Sequence, residues 1–430
     1  MQLSQAAKLE YTLHTQYMAA LTYILVALAA FCIFFLVLPF LTTLATALRG
    51  KEKVVALGPH KKFDFGVIIT AYRNANITQP LIESLLRQTH EKFIIYLVAD
   101  NCESVDFSYP NNNRVVILRP EPALNLKAKS LIHAMKSFKR PHDFTVVCDA
   151  DNLAHPNFLA ELNHYANAGH RAIQGQRTAK NIDSPIAAAD AVGEFYKNFI
   201  ERYGAYRVGS SAVISGSGMA VESQLYWDYL HGEDITAGKE KWKKMLQEDK
   251  ILQNFLLREN HDIAYAWNAI IFDEKVSDGD AVETQRSRWL YSYFQNIPNS
   301  LGILRRGLTN FSWNQLFFGL VTISPPLFIH IGFSTLIGSL CLALGIGFGV
   351  SALSFFGGIT LAALWLFAAN ILWTLYLSKA PQSLWANLYG VPLFAARQFT
   401  ALLRMGNPDK NFKHTEHKVN VSIDEIMGKS

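Results

Sequence analysis

The sequence predicts an α/β domain that is flanked by membrane-spanning helices. Residues 18–48 and 307–378 contain no Asp, Glu, Lys or Arg, and apolar stretches of this length exclude a wholly soluble protein. Between them, short β-branched segments alternate with helical patterns, as in a parallel sheet with crossover helices. The formal net charge of +5 is too small to indicate a nucleic-acid partner.

The N-terminal segment, residues 1–17, leads into a predicted transmembrane helix at residues 18–48. This helix exceeds the roughly 20 apolar residues that cross a bilayer core. A cleaved signal peptide is the alternative, but Lys8 is the only basic residue before the apolar stretch and no small-residue cleavage site follows. The stretch is followed by basic residues, namely Arg49, Lys51, Lys53, Lys61 and Lys62. The positive-inside rule therefore places the central domain, residues 49–306, in the cytoplasm, and we expect a multi-pass protein of a bacterial plasma membrane.

Two further transmembrane helices are predicted at residues 327–349 and 353–377, with a tight turn near Ser351. Basic residues flank the uncharged run on both sides: Arg305 and Arg306 precede it, and Lys379 follows it. Both flanks are therefore expected in the cytoplasm, which requires an even number of crossings between them.

Two segments beside these spans are predicted to lie in the membrane interface. Residues 307–326 contain polar side chains and a Pro-Pro pair, so we expect an interfacial or re-entrant helix rather than a third span. Residues 383–405 combine Trp and Tyr with two Arg residues, which predicts a second interfacial helix. The polar tail, residues 406–430, is expected to be disordered or to cover a site in the central domain. Its His414 and His417 are more typical of solvated side chains than of a metal site.

Polar residues follow three predicted strands of the central domain. They stand in three short segments: Thr70-Ala71-Tyr72, Asp100-Asn101 and Asp149-Ala150-Asp151. Parallel sheets bind ligands at the carboxyl ends of their strands, so these residues are binding candidates. The four cysteines are scattered without a CxxC spacing, which argues against a disulfide framework or a zinc site.

Asp149 and Asp151 are the most informative of these residues. Two carboxylates at this spacing after a buried strand can hold one Mg²⁺ or Mn²⁺ ion whose shell is completed by substrate phosphates and water. The pattern favours a nucleotide-diphosphate ligand, although Asp residues at strand ends are also common turn caps. The chain lacks both GxGxxG after the first strand and GxxxxGK[ST], which argues against a dinucleotide-binding or P-loop enzyme.

Two later motifs have both a structural and a chemical interpretation. Glu248 and Asp249 open a helical pattern, where carboxylates favour the helix dipole, but where one of them can also serve as a general base. Gln285, Arg288 and Trp289 fall in a charged helix just before the membrane segment. An Arg and an indole close together can also grip a phosphate and stack on a sugar.

The sequence contains four motifs in a fixed order: D (Asp100), DxD (Asp149 to Asp151), ED (Glu248 and Asp249) and QxxRW (Gln285 to Trp289). With these motifs in this order and within this membrane layout, the chain resembles the membrane-integrated glycosyltransferases of family 2. That group includes cellulose, chitin, hyaluronan and poly-N-acetylglucosamine synthases and, more distantly, ceramide glucosyltransferase. The resemblance covers residues 64–289 and the flanking spans. It implies a GT-A type nucleotide-diphospho-sugar transferase domain, a UDP-sugar donor and Mg²⁺ or Mn²⁺.

The resemblance also implies roles for individual residues. It places the following at the nucleotide-sugar: Ala71, Tyr72, Asn74, Asp100, Lys127, Lys129 and Asp149. It assigns Asp151, with Asp149, to the metal, and Asp249, with Glu248, to catalysis. It places the following at the acceptor and the diphosphate: Gly216, Ser217, Gly218, Gln285, Arg288 and Trp289. Two departures from the family pattern are Asn101, where a second acidic residue is usual, and Gln247, where Thr is more common.

Three functions follow as hypotheses. The first is a processive synthase that extends a β-linked polysaccharide from UDP-glucose or UDP-N-acetylglucosamine. With three predicted spans it would need an accessory subunit or a second copy to enclose a channel. The second is a single transfer to a lipid acceptor, as by ceramide-type enzymes. The third, an inert membrane scaffold or a transporter component, is disfavoured by the intact carboxylates and by the absence of charged residues from the spans.

Overall fold

The computed structural model describes residues 5–50, 52–182, 184–241, 247–275, 279–404 and 421–428. The chain forms two compact units, of which one comprises residues 1–48 and 324–377 and the other comprises residues 49–323 and 378–430. His414 and His417, with most of the predicted polar tail, lie outside the described residues.

Helices and strands are numbered in chain order. The helices are α1 (Gln5–Leu48), α2 (Gln79–Leu86), α3 (Lys127–Lys136), α4 (Phe158–Asn167), α5 (Pro185–Lys197), α6 (Ala205–Arg207), α7 (Ser223–His231), α8 (Glu233–Lys241), α9 (Glu248–Arg258), α10 (Gly279–Thr309), α11 (Trp313–Ile323), α12 (Leu327–Phe348), α13 (Ser351–Leu377), α14 (Gln382–Ala386), α15 (Val391–Leu403) and α16 (Ile423–Met427). The strands are β1 (Phe65–Tyr72), β2 (Phe93–Asp100), β3 (Val115–Leu118), β4 (Phe144–Asp149), β5 (Leu153–Ala154), β6 (Ala172–Ala179), β7 (Met219–Glu222) and β8 (Ala264–Asp273). A π-helical segment, Asn198–Gly204, joins α5 to α6.

The first unit consists of α1, α12 and α13. Three helical segments in it are long and apolar enough to cross a membrane: Thr15–Leu48, Leu327–Phe348 and Ser351–Leu377. They coincide with the three predicted spans, although α1 begins earlier than residue 18. Small and apolar side chains of the three helices pack together, with Ala29, Cys32 and Cys341 fully buried. The unit thus has the length and composition of a membrane-associated bundle.

The second unit contains an eight-stranded sheet in the order β3-β2-β1-β4-β7-β6-β8-β5. Strands β1 to β4 are parallel to one another, as predicted. Beyond the strands that the prediction covered, the sheet becomes mixed, because β7 is antiparallel to both β4 and β6. The loop before β7 delivers the chain at the carboxyl end of β4, where Met219 pairs with Val147, so β7 can only run back in the opposite direction.

The core of this unit lies on the face of the sheet covered by α2 and α4. It is built from β-branched side chains of the central strands, including Val67, Ile69, Ile95 and Val146, and from helix residues such as Phe158 of α4. Residues of this type suit a pleated, buried surface. The central strands are consequently rigid, and they fix the positions of the residues that follow them.

The helices around the predicted membrane segments differ from the expected boundaries. Helix α10 continues to Thr309, past the predicted domain end at residue 306. Helix α11 has 11 residues, fewer than the roughly 20 that cross a bilayer core. The predicted helix at residues 383–405 is instead α14, a 3₁₀ turn and α15. The interruption includes Gly390, where a Cβ atom would collide with the carbonyl oxygen of Pro185.

Part of the predicted polar tail is ordered in the described residues. Ser422 and Glu425 form a capping box at the start of α16. Asp424 pairs with Arg87 at 2.5 Å, and Ile423 is buried. The expectation of a disordered tail is therefore wrong for this short helix, because it has both a cap and an apolar anchor.

Candidate active site

The polar ends of β1, β2 and β4 meet at one edge of the sheet. Thr70 is in register with Asp149, and Tyr72 is in register with Asp100. In the sheet order, β1 lies between β2 and β4: the chain runs from β1 through β2 to β3 on one side and then returns to β4 on the other side of β1. Ligands of open α/β sheets bind at such a switch point. The structure thus brings together the three strand ends that the sequence singled out.

The backbone at Asp149 is held by two polar side chains. Its amide N–H donates to Oγ of Ser217 at 2.9 Å and to Oδ1 of Asn152 at 3.1 Å. Ser217 and Asn152 also bond to each other, and both are fully buried. Ser217 therefore connects the loop before β7 to the DxD turn. Asn152 was not predicted, because nothing in its sequence position marks it as more than a turn residue.

Lys127, at the first position of α3, joins three parts of the site. Its ammonium lies 2.8 Å from Oδ1 of Asp149 and 3.2 Å from Oε1 of Glu248. It also donates to the carbonyl oxygen of Gly216 at 3.2 Å. Lys129, predicted beside it, is exposed, because residues two positions apart on a helix do not share a face. Of this pair, Lys127 contacts both carboxylate motifs, and a donor contact of Lys129 stays a prediction.

The contacts of Lys127 shift the pKa values of the buried groups around it. Burial alone would lower the pKa of Lys127, but Asp149 and Glu248 outweigh it and hold that pKa well above its ordinary value. Burial raises the pKa of Glu248, and Lys127 opposes this rise while Asp249 adds to it. Lys127 thus remains an ammonium ion and favours the ionised form of Glu248.

Asp249 lies beside the glycine-containing loop that precedes β7. A Cβ atom built on Gly216 would be 3.4 Å from Oδ2 of Asp249. The side chain of Asp249 is 22% exposed, and the ammonium of Lys250 is 3.9 Å from its Oδ2. Lys250 in turn donates to the carbonyl oxygen of Ile214. Asp249 is therefore partly open to a ligand, whereas Glu248 is enclosed.

Gly216→Ala is expected to reduce activity more than stability. Gly216 has a φ of 82°, a conformation that costs other residues roughly 1–2 kcal/mol, and the new methyl group would lie in van der Waals contact with Asp249, so a shift of the strained loop would move a group that touches Asp249. We expect a folded protein with impaired catalysis, to be measured as the catalytic rate together with the thermal unfolding temperature in detergent. Gly302→Ala is the control, since nothing lies within 4 Å of a Cβ atom there. Equal rates for the two variants would contradict this role of Gly216.

Buried amide side chains fix the rest of this loop. Gln174 is fully buried; its Oε1 accepts from the amide of Ser215 and its Nε2 donates to the carbonyl oxygen of Ser217, both at 2.9 Å. Gln253 accepts from the amide of Ile214. Gly218 approaches Ile271 so closely that a Cβ atom would lie 2.7 Å from Cγ2 of that residue. The predicted loop is thus rigidly placed beside the two carboxylate motifs.

The predicted nucleotide end contains residues with mainly backbone partners. The Asp100 carboxylate accepts from the amides of Leu124 and Asn125, each at 2.7 Å, and Asp100 is 3% exposed. The Tyr72 hydroxyl donates to Oδ1 of Asn125 at 3.0 Å. Both residues therefore shape the loop before α3, and a direct contact of Asp100 with uridine stays a prediction.

Ala71 and Asn74 occupy the same end of β1. Ala71 is buried in the sheet core, and Oδ1 of Asn74 accepts from the amide of Asn76 in the turn that follows. The structure thus gives both residues a place in the architecture of the strand end. Their predicted contacts with a nucleotide-sugar stay predictions.

Left-handed backbone conformations cluster at this edge. Arg73 has a φ of 67°, and Asn101 and Asn125 each have a φ of 54°. Asn tolerates this conformation better than most residues, which explains Asn101 at a position where the family has an acidic residue. Unfavourable conformations tend to persist at functional sites, so their clustering supports a ligand site here.

Gln285, Arg288 and Trp289 all lie on α10. Trp289 is 38% exposed, and burial lowers the pKa of Arg288. Helix α10 is tied to the start of α9, because Nδ2 of Asn296 donates to Oε1 of Gln247. Gln247, which departs from the family pattern, directly precedes Glu248. It thereby joins the ED motif to the helix that carries the QxxRW motif.

Asp149 and Asp151, at the end of β4, are the predicted ligands of a divalent cation that is completed by its substrate. In the described residues, no group of three or more His, Cys, Asp or Glu side chains could hold a metal. Mg²⁺ is commonly bound through one or two carboxylates plus substrate phosphates, and Asp149 and Asp151 supply such a set.

The fold and the carboxylates at its switch point define a sugar-transferring enzyme with a GT-A type domain. Residues 62–292 match the family described as glycosyltransferase like family 2. This match covers more than half of the chain, and the chain belongs to that family. No curated protein matches the sequence.

The chain is similar to several solved structures. The mannosyltransferase PcManGT from Pyrobaculum calidifontis, in complex with GDP-Man and Mn²⁺, has a TM-score of 0.53 at 14% identity, covering 88% of this chain and 98% of its own. S. aureus TarS 1-349 in complex with UDP has a TM-score of 0.38 at 13% identity, covering 83% of this chain and 94% of its own. PcManGT thus supports the GT-A type fold.

Proposed function

We propose that the protein is an inverting, metal-dependent membrane glycosyltransferase that moves a sugar from a UDP-sugar to a growing β-linked polysaccharide. The observation that carries this proposal is the position of Lys127. One ammonium group contacts Asp149 of the DxD motif, Glu248 of the ED motif and the carbonyl oxygen of Gly216. This convergence of residues predicted for the donor and for the acceptor supports a single reaction centre.

The carboxylates divide the chemistry between them. Asp149 and Asp151 would hold a Mg²⁺ or Mn²⁺ ion, which offsets negative charge on the departing diphosphate. A divalent ion suits this role because PcManGT, with the same fold, is in complex with GDP-Man and Mn²⁺. Asp151 is the stronger candidate for direct ligation, because Oδ1 of Asp149 already contacts Lys127.

Asp249 acts as the general base. It removes the proton from an acceptor hydroxyl as that oxygen attacks the anomeric carbon from the face opposite UDP. The bond between the anomeric carbon and the diphosphate oxygen breaks, its electron pair leaves with UDP, and the anomeric configuration inverts. Lys127 holds Glu248 and Asp149 in place during transfer, and Arg288 adds positive charge near the leaving group. Trp289 stacks on the acceptor sugar.

The second candidate function is the transfer of one sugar to a lipid acceptor. The observation that favours it is the presence of three candidate spanning helices in the described residues. Three helices are few for enclosing a polysaccharide chain. A processive enzyme would therefore require a second copy or an accessory subunit. In both versions the catalytic domain lies on the cytoplasmic side of a bacterial plasma membrane.

The test is the transfer of radiolabelled sugar by the detergent-purified protein with Mg²⁺ or Mn²⁺. UDP-glucose and UDP-N-acetylglucosamine are supplied separately, and GDP-mannose is included because PcManGT binds it. A high-molecular-weight product that disappears in Asp249→Asn would support the processive synthase and identify its donor. A singly glycosylated lipid would support the alternative. A wild-type protein that binds these donors and transfers none of their sugars to polymer or lipid would contradict both versions.

A further inference from the structure

Arg286, the second residue of the QxxRW segment, contacts three elements of the second unit. Its guanidinium donates to the carboxylate of Asp190 on α5, and both side chains are nearly buried, with 11% and 8% exposed. The guanidinium lies 4.3 Å from the centroid of the Trp289 ring on α10. It also lies 5.2 Å from the centroid of the Phe394 ring on α15. Arg286 therefore occupies the junction of α5, α10 and α15.

The anchor of this arrangement is α5, which carries a second buried carboxylate one turn after Asp190. Glu194 accepts from Arg177 at 2.9 Å and from Arg202 at 2.8 Å. Burial would lower the pKa of Arg177, but Glu194, Asp273 and, as a smaller contribution, Asp149 raise it above its ordinary value. Helix α5 thus binds Arg177, whose charge interacts with Asp149 of the DxD motif, through Glu194. It binds Arg286 through Asp190.

A second ion-pair group joins the same helices. Glu283, which is largely buried on α10, accepts from Arg397 and from Arg404 of the α15 region, each at 2.9 Å. On α5, Ala189 packs against Phe394. The ion pairs hold α15 against the part of α10 that carries Arg286, and the apolar contact holds α15 against α5. The orientation of Arg286 is thereby restricted from two sides.

We propose that Arg286 is a positioning residue that sets the orientation of the Trp289 indole toward the acceptor. This inference rests on the proposed function. A guanidinium over an aromatic face restricts the tilt of the ring, and the contact is stronger where water is excluded. Asp190 fixes the guanidinium in turn. Arg288, two positions along the helix, lies on another face. The positioning role of Arg286 is therefore separate from the role proposed for Arg288 at the diphosphate.

The test compares two double variants of the full-length, detergent-purified chain. Each combines an Arg→Gln with an Asp→Asn substitution. Arg286→Gln with Asp190→Asn removes both buried charges but retains hydrogen-bonding side chains. Arg258→Gln with Asp234→Asn removes an ion pair whose side chains are 34% and 41% exposed, and serves as the matched control. A single Arg286→Lys variant keeps the positive charge but loses the planar fork. Thermal unfolding of each variant confirms that it is folded.

Acceptor and donor parameters are measured separately. The acceptor probe is a β-linked tetrasaccharide of the donor sugar or ceramide in mixed micelles, whichever the wild type uses. We expect the buried double variant to raise the acceptor KM about 10-fold, a value between those of an exposed and a desolvated cation–π contact, because Trp289 is partly exposed. The KM of the UDP-sugar should remain near the wild-type value, and more UDP should be released per sugar transferred. Arg286→Lys should lie between the double variant and the wild type.

Three results would overturn the inference in distinguishable ways. A folded double variant with the acceptor KM and UDP-to-sugar ratio of the wild type would show that the ion pair is only structural, while the proposed function would stand. If the double variant does not fold, Arg286→Lys decides, and wild-type acceptor parameters in that variant overturn the inference. A wild-type protein without sugar transfer would overturn the proposed function and this inference together.

Discussion

Asp249→Asn is expected to lower the rate of sugar transfer by about 10²–10⁴-fold, the contribution of a well-placed general base. Asn has nearly the same size as Asp and retains its place beside Gly216, but it cannot accept the proton of the acceptor hydroxyl. Binding of UDP should be largely unchanged, because the donor-side contacts of Asp149 and Lys127 remain. Transfer of radiolabel and calorimetric titration with UDP measure the two quantities.

Asp234→Asn is a suitable control for the loss of one carboxylate. Asp234 pairs with Arg258 near the surface and lies outside the candidate site. The Asp234→Asn variant should therefore transfer sugar at the wild-type rate. If Asp249→Asn also kept that rate, a group other than Asp249 would have to take the proton, and the proposed mechanism would be wrong.

Lys127→Met is expected to impair both folding stability and catalysis. The substitution leaves the largely buried carboxylate of Glu248 without its cationic partner and removes the contact with Asp149. Removal of one partner of a buried ion pair typically costs about 3–5 kcal/mol of unfolding free energy. Sugar transfer should fall by at least about 10²-fold, the scale for removal of one preorganised electrostatic contact. Denaturant unfolding in detergent and the transfer assay provide the measurements.

The stability deficit of Lys127→Met should become smaller as the pH falls. Burial raises the pKa of Glu248 above its ordinary value, and Lys127 opposes that rise. Without Lys127 the pKa rises further, so protonation of Glu248 favours the folded state. Stability is then regained below the folded-state pKa and lost as the pH rises through it. Lys136→Met, at an exposed position of the same helix, is the control. A deficit independent of pH would argue against an uncompensated Glu248.

The strand ends and carboxylate motifs were predictable because they depend on local pattern. Alternating strands and helices in a parallel arrangement bring Tyr72, Asp100 and Asp149 to one edge wherever the crossovers lie. The number and position of long apolar helices follow from composition in the same way. These features required no knowledge of distant contacts.

Other parts of the site depend on contacts that the sequence pattern does not contain. The pairing of Arg286 with Asp190 joins residues far apart in the chain, and neither position has a distinguishing periodicity. The choice of Lys127 over Lys129 depends on where α3 begins, which is difficult to predict to the residue. The antiparallel direction of β7 depends on the end of β4 at which the long connection re-enters the sheet.

The shared contacts of Lys127 have a consequence for protein engineering. Because its ammonium contacts both Asp149 and Glu248, the donor pocket and the catalytic helix are not separable modules. Consider a chimera that takes the donor-binding segment up to β4 from a relative but retains the native α9. In that chimera the residue at position 127 and its neighbours come from the relative, whereas their partner Glu248 comes from this chain. Donor exchange should therefore succeed more often when the segment with α9 is transplanted along with the strands.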